Sequence, residues 1–188
     1  MTTLKITKDL ITMLGIGIAS FVAISGLSAW KKQMKGKTDY EVARRCLKSV
    51  YKLREAIKYV RNPYISVGEM EKSLEESGLK DNKDLTKNQK TNWAVYDARW
   101  KKVSEAKTEM DIEFFEAEVS WGKDIILTQK DFKDLIGKLY GTVSMFLMGY
   151  GKEKHDEIIY DTGEEDVFTK EVDEAIEKIE DYLKFYLR

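Results

Sequence analysis

The sequence contains few of the side chains that catalyse reactions or bind transition metals. His155 and Cys46 are the only histidine and the only cysteine among 188 residues. Zinc and haem sites need several such ligands, and a di-iron bundle normally uses a Glu-x-x-His motif on each of two helices. We therefore expect no metal site and no cofactor, and we interpret His155 as a solvated residue of a charged linker.

The remaining arrangement with acid–base potential is a pair of carboxylates, Glu113 and Glu116, one helical turn apart. A buried pair would titrate abnormally, whereas an exposed pair on the flank of a helix would have no chemical role, and we favour the second interpretation. The sequence also lacks a Gly-rich phosphate loop, a nucleophile elbow and a nucleotide fingerprint. We therefore predict no catalytic residue and a protein that is not an enzyme.

The most informative segment is an uncharged run from Leu10 to Trp30, which follows a short N-terminal tail, residues 1–9. A bilayer core requires about 20 predominantly apolar residues in helical form, and a tryptophan is typical of the membrane interface. The alternative is a cleaved signal peptide with Lys5 and Lys8 as its basic region. The length of the uncharged run argues against that alternative, so we predict one transmembrane helix.

A basic segment, residues 31–37, follows the predicted span and contains four lysines: Lys31, Lys32, Lys35 and Lys37. Basic residues accumulate on the cytoplasmic side of spanning helices. We therefore place the C-terminal part, residues 38–188, in the cytoplasm and the chain in the inner (plasma) membrane. The same lysines lie where they would contact anionic headgroups, although fixing the orientation is a sufficient role for them.

One face of the predicted span consists of small residues, namely Gly15, Ala19, Ala23 and Gly26. Small residues allow helix backbones to approach closely in lipid. Self-association of the spans through this face is a hypothesis; the alternative is that small residues are simply common in such helices.

Charge is distributed unevenly beyond the span. Eleven basic and three acidic residues lie between Lys31 and Arg61, whereas 29 acidic and 19 basic residues follow from Asn62. The basic residues that we expect to face a partner or lipid are Arg44, Arg45, Lys48, Lys52 and Lys58. They are equally placed to face the acidic last helix, and no nucleic-acid-binding fold accompanies them, so we do not expect nucleic acid as a partner.

Apolar residues recur at intervals of three and four along four segments of residues 38–188, which predicts amphipathic helices. The first segment begins at about Thr38, with Thr38 or Asp39 as its N-cap, and ends at Asn62-Pro63. Its apolar stripe is Ala43, Cys46, Val50, Leu53, Ile57 and Val60. A shorter helix follows, with Ser66 and Glu69 as a capping box and Gly78 as its C-terminal cap.

The second long segment, Asn88 to Gly122, has a near-continuous heptad pattern. We assign its main apolar residues to a core seam: Trp93, Tyr96, Trp100, Val103, Met110, Phe114 and Trp121. A ligand platform is the alternative interpretation of these aromatic residues.

Two more helices complete the predicted domain. The third segment has Thr128 as its cap and an uncharged stretch, Leu139 to Gly151, in which Gly137 and Gly141 thin one face for close packing. We interpret that stretch as a core helix, with a membrane-dipping element as the alternative. The last helix, Glu164 to Leu187, is acidic on its outer face.

These patterns predict an all-α fold, in which one N-terminal transmembrane helix precedes an antiparallel helical bundle with coiled-coil-like helices. We expect a membrane-anchored interaction or scaffold protein that binds a protein partner or forms a homo-oligomer. The alternative is an oligomerising membrane effector or sensor whose transmembrane helices associate.

Overall fold

The structure is a computed structural model that describes residues 2–150, 156–163 and 166–187, with side chains from Met13 onward. Its described part contains seven α-helices and one short 3-10 helix, and no strand. Two compact units divide the chain, residues 1–41 and residues 42–188.

Helix α1, Thr2–Arg61, is the longest element and contributes to both units. The prediction that a helix begins at Thr38 is wrong, because the Thr38 hydroxyl donates to the carbonyl of Met34 within continuous helix, at 3.0 Å. The segment before it contains no proline, and its lysines favour helix enough to outweigh the single Gly36. The predicted end is confirmed, since the residue before Pro63 cannot easily remain helical.

Helix α2, Val67–Ser77, begins and ends at the predicted caps. The Ser66 side chain accepts a hydrogen bond from the Glu69 backbone N–H, and Gly78 adopts φ of 67°. The left-handed conformation at Gly78 explains why glycine is suited to this position. A 3-10 helix, Leu79–Asp81, follows directly.

Helix α3, Lys87–Trp121, is a single element of 35 residues. Thr86 and Gln89 form a complete capping box at its start, which the sequence analysis did not identify. Of the predicted core seam, Tyr96, Val103, Met110 and Phe114 are buried, while the other three residues are half-buried: Trp93, Trp100 and Trp121.

The third predicted segment consists of two helices, α4, Asp124–Thr128, and α5, Lys130–Leu147. Thr128 does not cap α5: its hydroxyl donates to the Ile125 carbonyl, and Gln129 lies at the helix start without a side-chain cap. Short polar side chains such as threonine readily bond the preceding turn instead of the following one.

The C-terminal part of the described chain contains α6, Asp156–Ile159, and α7, Val167–Leu183. Asp166 caps α7, because its side chain accepts a hydrogen bond from the Thr169 backbone N–H. His155 and Glu164 lie outside the described residues, so the prediction of a solvated His155 stays a prediction.

One apolar core joins the helices of the second unit. The predicted stripe of α1 is fully inside it, together with residues of α3, α5 and α7. Burial of these side chains is the main contribution to stability, at about 25 cal/mol per Å² of apolar surface removed from water.

Contacts between neighbouring helices follow a reversed order along the chain. Between α1 and α3, later α1 residues contact earlier α3 residues; the contacts are Arg45–Glu113, Lys52–Glu109 and the donation from Arg99 to the Asn62 carbonyl. The same reversal holds between α3 and α5, at Asp111–Lys133 and Tyr96–Phe146. It also holds between α5 and α7, at Asp131–Lys178 and Lys138–Glu171.

Candidate functional site

The first candidate functional surface is the apolar part of α1 in the first unit. Its large hydrophobic side chains are between 52% and 73% exposed; from Met13 to Leu27 they are Met13, Leu14, Ile16, Ile18, Phe21, Val22, Ile24 and Leu27. This helix is long and apolar enough to cross a membrane, and none of its most apolar window is buried. A core helix of a soluble protein would be covered by its own chain.

The predicted small face lies on the same exposed surface. Gly15, Ala19, Ala23 and Gly26 are all exposed. A Cβ added at Gly15 or Gly26 would meet no atom within 4 Å. The face is therefore open to contact with lipid or with another helix.

Lysines of the basic segment 31–37 form the second candidate surface. All four side chains are exposed, and they form no ion pair with any residue that the structure describes. Their charge is consequently not neutralised within the described chain.

The basic residues of the next part of α1 behave differently, because two of the predicted partner-facing residues form ion pairs with α3. Arg45 contacts Glu113 at 2.9 Å and Glu116 at 2.5 Å, and Lys52 contacts Glu109. Hydrogen bonding to Glu113 raises the pKa of Arg45 further. The partners lie on α3, not on the acidic last helix.

Three other basic residues complete this predicted set. Lys58 contacts Glu55 on its own helix at 3.6 Å, and both Arg44 and Lys48 are exposed. The contact with the acidic last helix is made by Arg54, which the sequence analysis did not select, at 2.8 Å from Asp173.

The carboxylates of Glu113 and Glu116 both contact Arg45. Glu113 is partly buried and Glu116 is exposed, and both accept from the Arg45 guanidinium. Two carboxylates that share one guanidinium form a structural ion-pair cluster.

Arg61 is the first of two buried arginines that the sequence analysis missed. Its guanidinium lies 2.7 Å from Asp166, and each side chain of the pair is at most 2% exposed. It also donates to the carbonyls of Glu157, Ile158 and Tyr160. Arg61 therefore provides hydrogen-bond donors to carbonyls at the end of α6 and to the Asp166 carboxylate at the start of α7. These hydrogen bonds offset the cost of burying a charged pair.

Arg99 has the corresponding role at the end of α1. It contacts Glu69 at 2.7 Å and donates to the carbonyls of Asn62 and Tyr64. The hydrogen bond from Arg99 lowers the pKa of Glu69. The Glu69 carboxylate accepts hydrogen bonds from both Arg99 and the Tyr59 hydroxyl.

Cys46 is buried within the α1 stripe, with its thiol 3.4 Å from the Glu113 carbonyl. Burial, followed by the charge of Glu113, raises the pKa of the thiol to about 12. A thiol is nucleophilic only as its thiolate, so the environment keeps Cys46 unreactive.

One cleft of the second unit lies between the end of α1, α2 and α3, and measures about 270 Å³. Arg99 and Glu69 line it but already bond one another, and the ammonium of Lys102 lies 4.1 Å from the centre of the Tyr59 ring. Among the described residues no group of three His, Cys, Asp or Glu side chains is arranged to hold a metal ion.

Comparison with known proteins found no matching family model, no similar curated protein and no similar solved structure. Function must therefore be inferred from the surfaces described above.

Proposed function

We propose that the protein is a membrane-anchored interaction protein, with a helical domain that binds protein partners at the cytoplasmic face of the inner membrane. The observation that carries this proposal is the fully exposed apolar surface of α1 from Met13 to Leu27. Soluble monomers rarely expose contiguous apolar patches larger than a few hundred Å². A lipid bilayer is the environment that suits a helical surface of this length.

The cytoplasmic location rests on charge. Lys31, Lys32, Lys35 and Lys37 follow the apolar surface and are not neutralised by described residues. This asymmetry favours retention of the C-terminal side in the cytoplasm. Each of these lysines near an anionic surface would add about 1 kcal/mol of attraction.

The domain itself is, in this proposal, an antiparallel bundle of four long elements: the second-unit part of α1, α3, α5 and α7. The reversed order of the contacts between neighbouring helices supports this arrangement. So does the closing contact between the first and last members, Arg54–Asp173 together with Arg61–Asp166. Coiled-coil-like packing is expected where the α3 seam meets α1.

The contacts of the buried polar residues support the proposal of a binding role rather than catalysis. Arg61 and Arg99 are almost fully buried, and each uses its donors on helix ends and on one carboxylate. These are the requirements of a stable scaffold. The exposed lysines and apolar side chains are then the groups available for recognition.

A foreign-anchor experiment tests the tether role. Residues 10–30 are replaced by an unrelated spanning helix, and proteins that co-purify in mild detergent are compared with those of the unchanged chain. The proposal predicts the same partner at the same stoichiometry. Loss of the partner with the foreign span would contradict a simple tether.

That contrary result would favour the second candidate function, an oligomerising membrane effector or sensor. The exposed small face supports this candidate, because a Cβ added at Gly15 or Gly26 would meet no described atom within 4 Å. It predicts that Gly15→Leu, Ala19→Leu and Ala23→Leu each weaken association of the spans in a membrane crosslinking assay. Leucine at Ile24, on the opposite side of the helix, provides the matched control.

A further inference from the structure

Three of the four lysines in residues 31–37 lie on one side of α1. An α-helix has 3.6 residues per turn, so each residue is rotated by about 100° from the one before it. Lys31, Lys32 and Lys35 therefore share an arc of about 100°, whereas Lys37 lies on the opposite side. All four side chains are exposed. The positive charge of this segment is thus concentrated on one side of the helix.

An apolar groove lies on the same side of α1, within the predicted span. Its volume is about 430 Å³, and it is lined by Met13, Leu14, Gly17, Ile18 and Phe21. Gly17 precedes Lys35 by 18 residues, which is about five full turns, so the two positions are aligned along the helix. A Cβ added at Gly17 would meet no described atom within 4 Å, so the groove is open.

We infer that this side of α1, defined by Lys31, Lys32, Lys35 and the groove over Gly17 and termed the lysine face, binds one anionic phospholipid of the adjacent leaflet. The lipid phosphate contacts the ammonium groups, and one acyl chain follows the helix to the groove. Phe21, at the near end of the groove, precedes Lys31 by ten residues, or about 15 Å of helix. A hydrocarbon core about 30 Å thick has leaflets of that depth. The inference rests on the proposed membrane anchor.

Charge favours a lipid over a second copy of the chain as the occupant. Two copies that met through the lysine face about a two-fold axis would bring like charges together. Asp39 is the acidic residue on the same side, one turn beyond Lys35, and it already has an interaction partner. Three lysines therefore leave this side positive. The small face, with Gly15 and Ala19, lies on the opposite side and stays available to another span.

The two parts of the lysine face match the two parts of a phospholipid. Lysine is a common phosphate ligand in proteins, and its long apolar stem lets the ammonium reach the headgroup region while the helix continues into the core. The groove offers an acyl chain apolar side chains and an open backbone surface at Gly17. A soluble anion would use only the lysines, so an amphiphile is the ligand that uses the whole surface.

Native mass spectrometry of the full-length chain in mild detergent tests the lipid site. Phosphatidylglycerol and phosphatidylcholine with identical acyl chains are added in equal amounts, and the fraction of the chain that carries each lipid is measured. One bound phosphatidylglycerol, in several-fold excess over phosphatidylcholine, is expected. Equal retention of the two lipids would overturn the inference.

Single lysine variants test which side of the helix holds the lipid. Lys35→Gln is expected to raise the dissociation constant for phosphatidylglycerol about fivefold, the equivalent of about 1 kcal/mol. Lys37→Gln is the matched control, because Lys37 is also exposed in the same segment but on the opposite side, and it is expected to change little. Lys35→Arg, which keeps the charge, is expected to bind as the unchanged chain does. Equal weakening by Lys35→Gln and Lys37→Gln would contradict the lysine face.

A second pair of variants tests the groove. Gly17→Leu fills the groove and is expected to weaken retention of phosphatidylglycerol, because the acyl chain loses its contact with the helix. Gly15→Leu is the matched control, since it changes a glycine of the same span on the opposite side. The same retention with Gly17→Leu as with Gly15→Leu would refute the acyl-chain contact.

Alkaline extraction of native membranes distinguishes failure of this inference from failure of the proposed function. A chain that remains in the pellet but does not prefer phosphatidylglycerol contradicts only the lysine face. A chain released into the supernatant contradicts the membrane anchor. Loss of a co-purifying protein from Lys35→Gln, with unchanged lipid retention, would assign these lysines to a protein partner and overturn the inference.

Discussion

The substitution Asp166→Asn probes the most buried ion pair of the domain. Asparagine keeps an oxygen that can accept from the Thr169 backbone N–H, but it removes the charge opposite Arg61. Removing one partner of a buried pair leaves an uncompensated charge and costs about 3 to 5 kcal/mol. A domain with a typical stability of about 5 to 15 kcal/mol would lose a large part of it.

Asp173→Asn is the matched control, because Asp173 forms an ion pair with Arg54 in which it is 45% exposed. Loss of an exposed pair costs about 0 to 1 kcal/mol. Both variants and the unchanged full-length chain would be unfolded by urea in detergent, with tryptophan fluorescence as the signal. Equal destabilisation by Asp166→Asn and Asp173→Asn would refute the role of Arg61 as a buried clamp.

The pH dependence provides a second measurement on the same variant. Burial alone would raise the pKa of Asp166, but the Arg61 guanidinium and two backbone N–H groups hold it well below its usual range. A carboxylate with a lowered folded-state pKa stabilises the fold above its unfolded pKa of about 3.9, and that stability is lost as the pH falls further. The unchanged chain is therefore expected to have a larger free energy of unfolding than Asp166→Asn by a constant amount near neutral pH. That difference in free energy is expected to decrease below about pH 4.

Three further predictions follow from other contacts. Arg99→Met is expected to lower the free energy of unfolding by about 3 to 5 kcal/mol in the same urea assay, because Glu69 and two carbonyls lose their hydrogen-bond donor. A loss below about 1 kcal/mol would contradict this prediction. Arg45→Gln is expected to lower the free energy of unfolding by no more than about 1 kcal/mol, since the Arg45 side chain is 40% exposed. A larger loss would contradict the expectation that solvent screens the pair with Glu113. Cys46, with its pKa raised to about 12, is expected to react with a thiol reagent at pH 8 only after urea is added, and fast labelling of the folded chain would show that this part of α1 is open.

The apolar periodicity of the sequence predicted the inside of the domain well. Every residue of the predicted α1 stripe, from Ala43 to Val60, is buried. Helix ends with strong local causes were also predicted, at Pro63 and at Gly78. Side-chain spacing and backbone restrictions act within a few residues, so a single sequence reveals them.

Features that depend on distant residues were not predicted. Arginine is normally exposed, so nothing in the sequence indicated that Arg61 and Arg99 lie in the core. Arg61 is buried because α6 packs against it, and Arg99 is buried because α2 packs against it. The internal pairing of Arg45 depends likewise on α3, so a local charge count identified it as available for a partner.

Membrane integration and orientation form the central claim, and one labelling experiment tests both. Full-length chains with Cys46→Ala carry a single cysteine, either Thr3→Cys in the tail or Ser104→Cys on α3. Intact cells are treated with a membrane-impermeant maleimide, and their membranes are then extracted with alkaline carbonate. The account predicts a chain that stays in the pellet, with Thr3→Cys labelled on intact cells and Ser104→Cys labelled only after permeabilisation. Release of the chain by carbonate, or labelling of Ser104→Cys on intact cells, would contradict it.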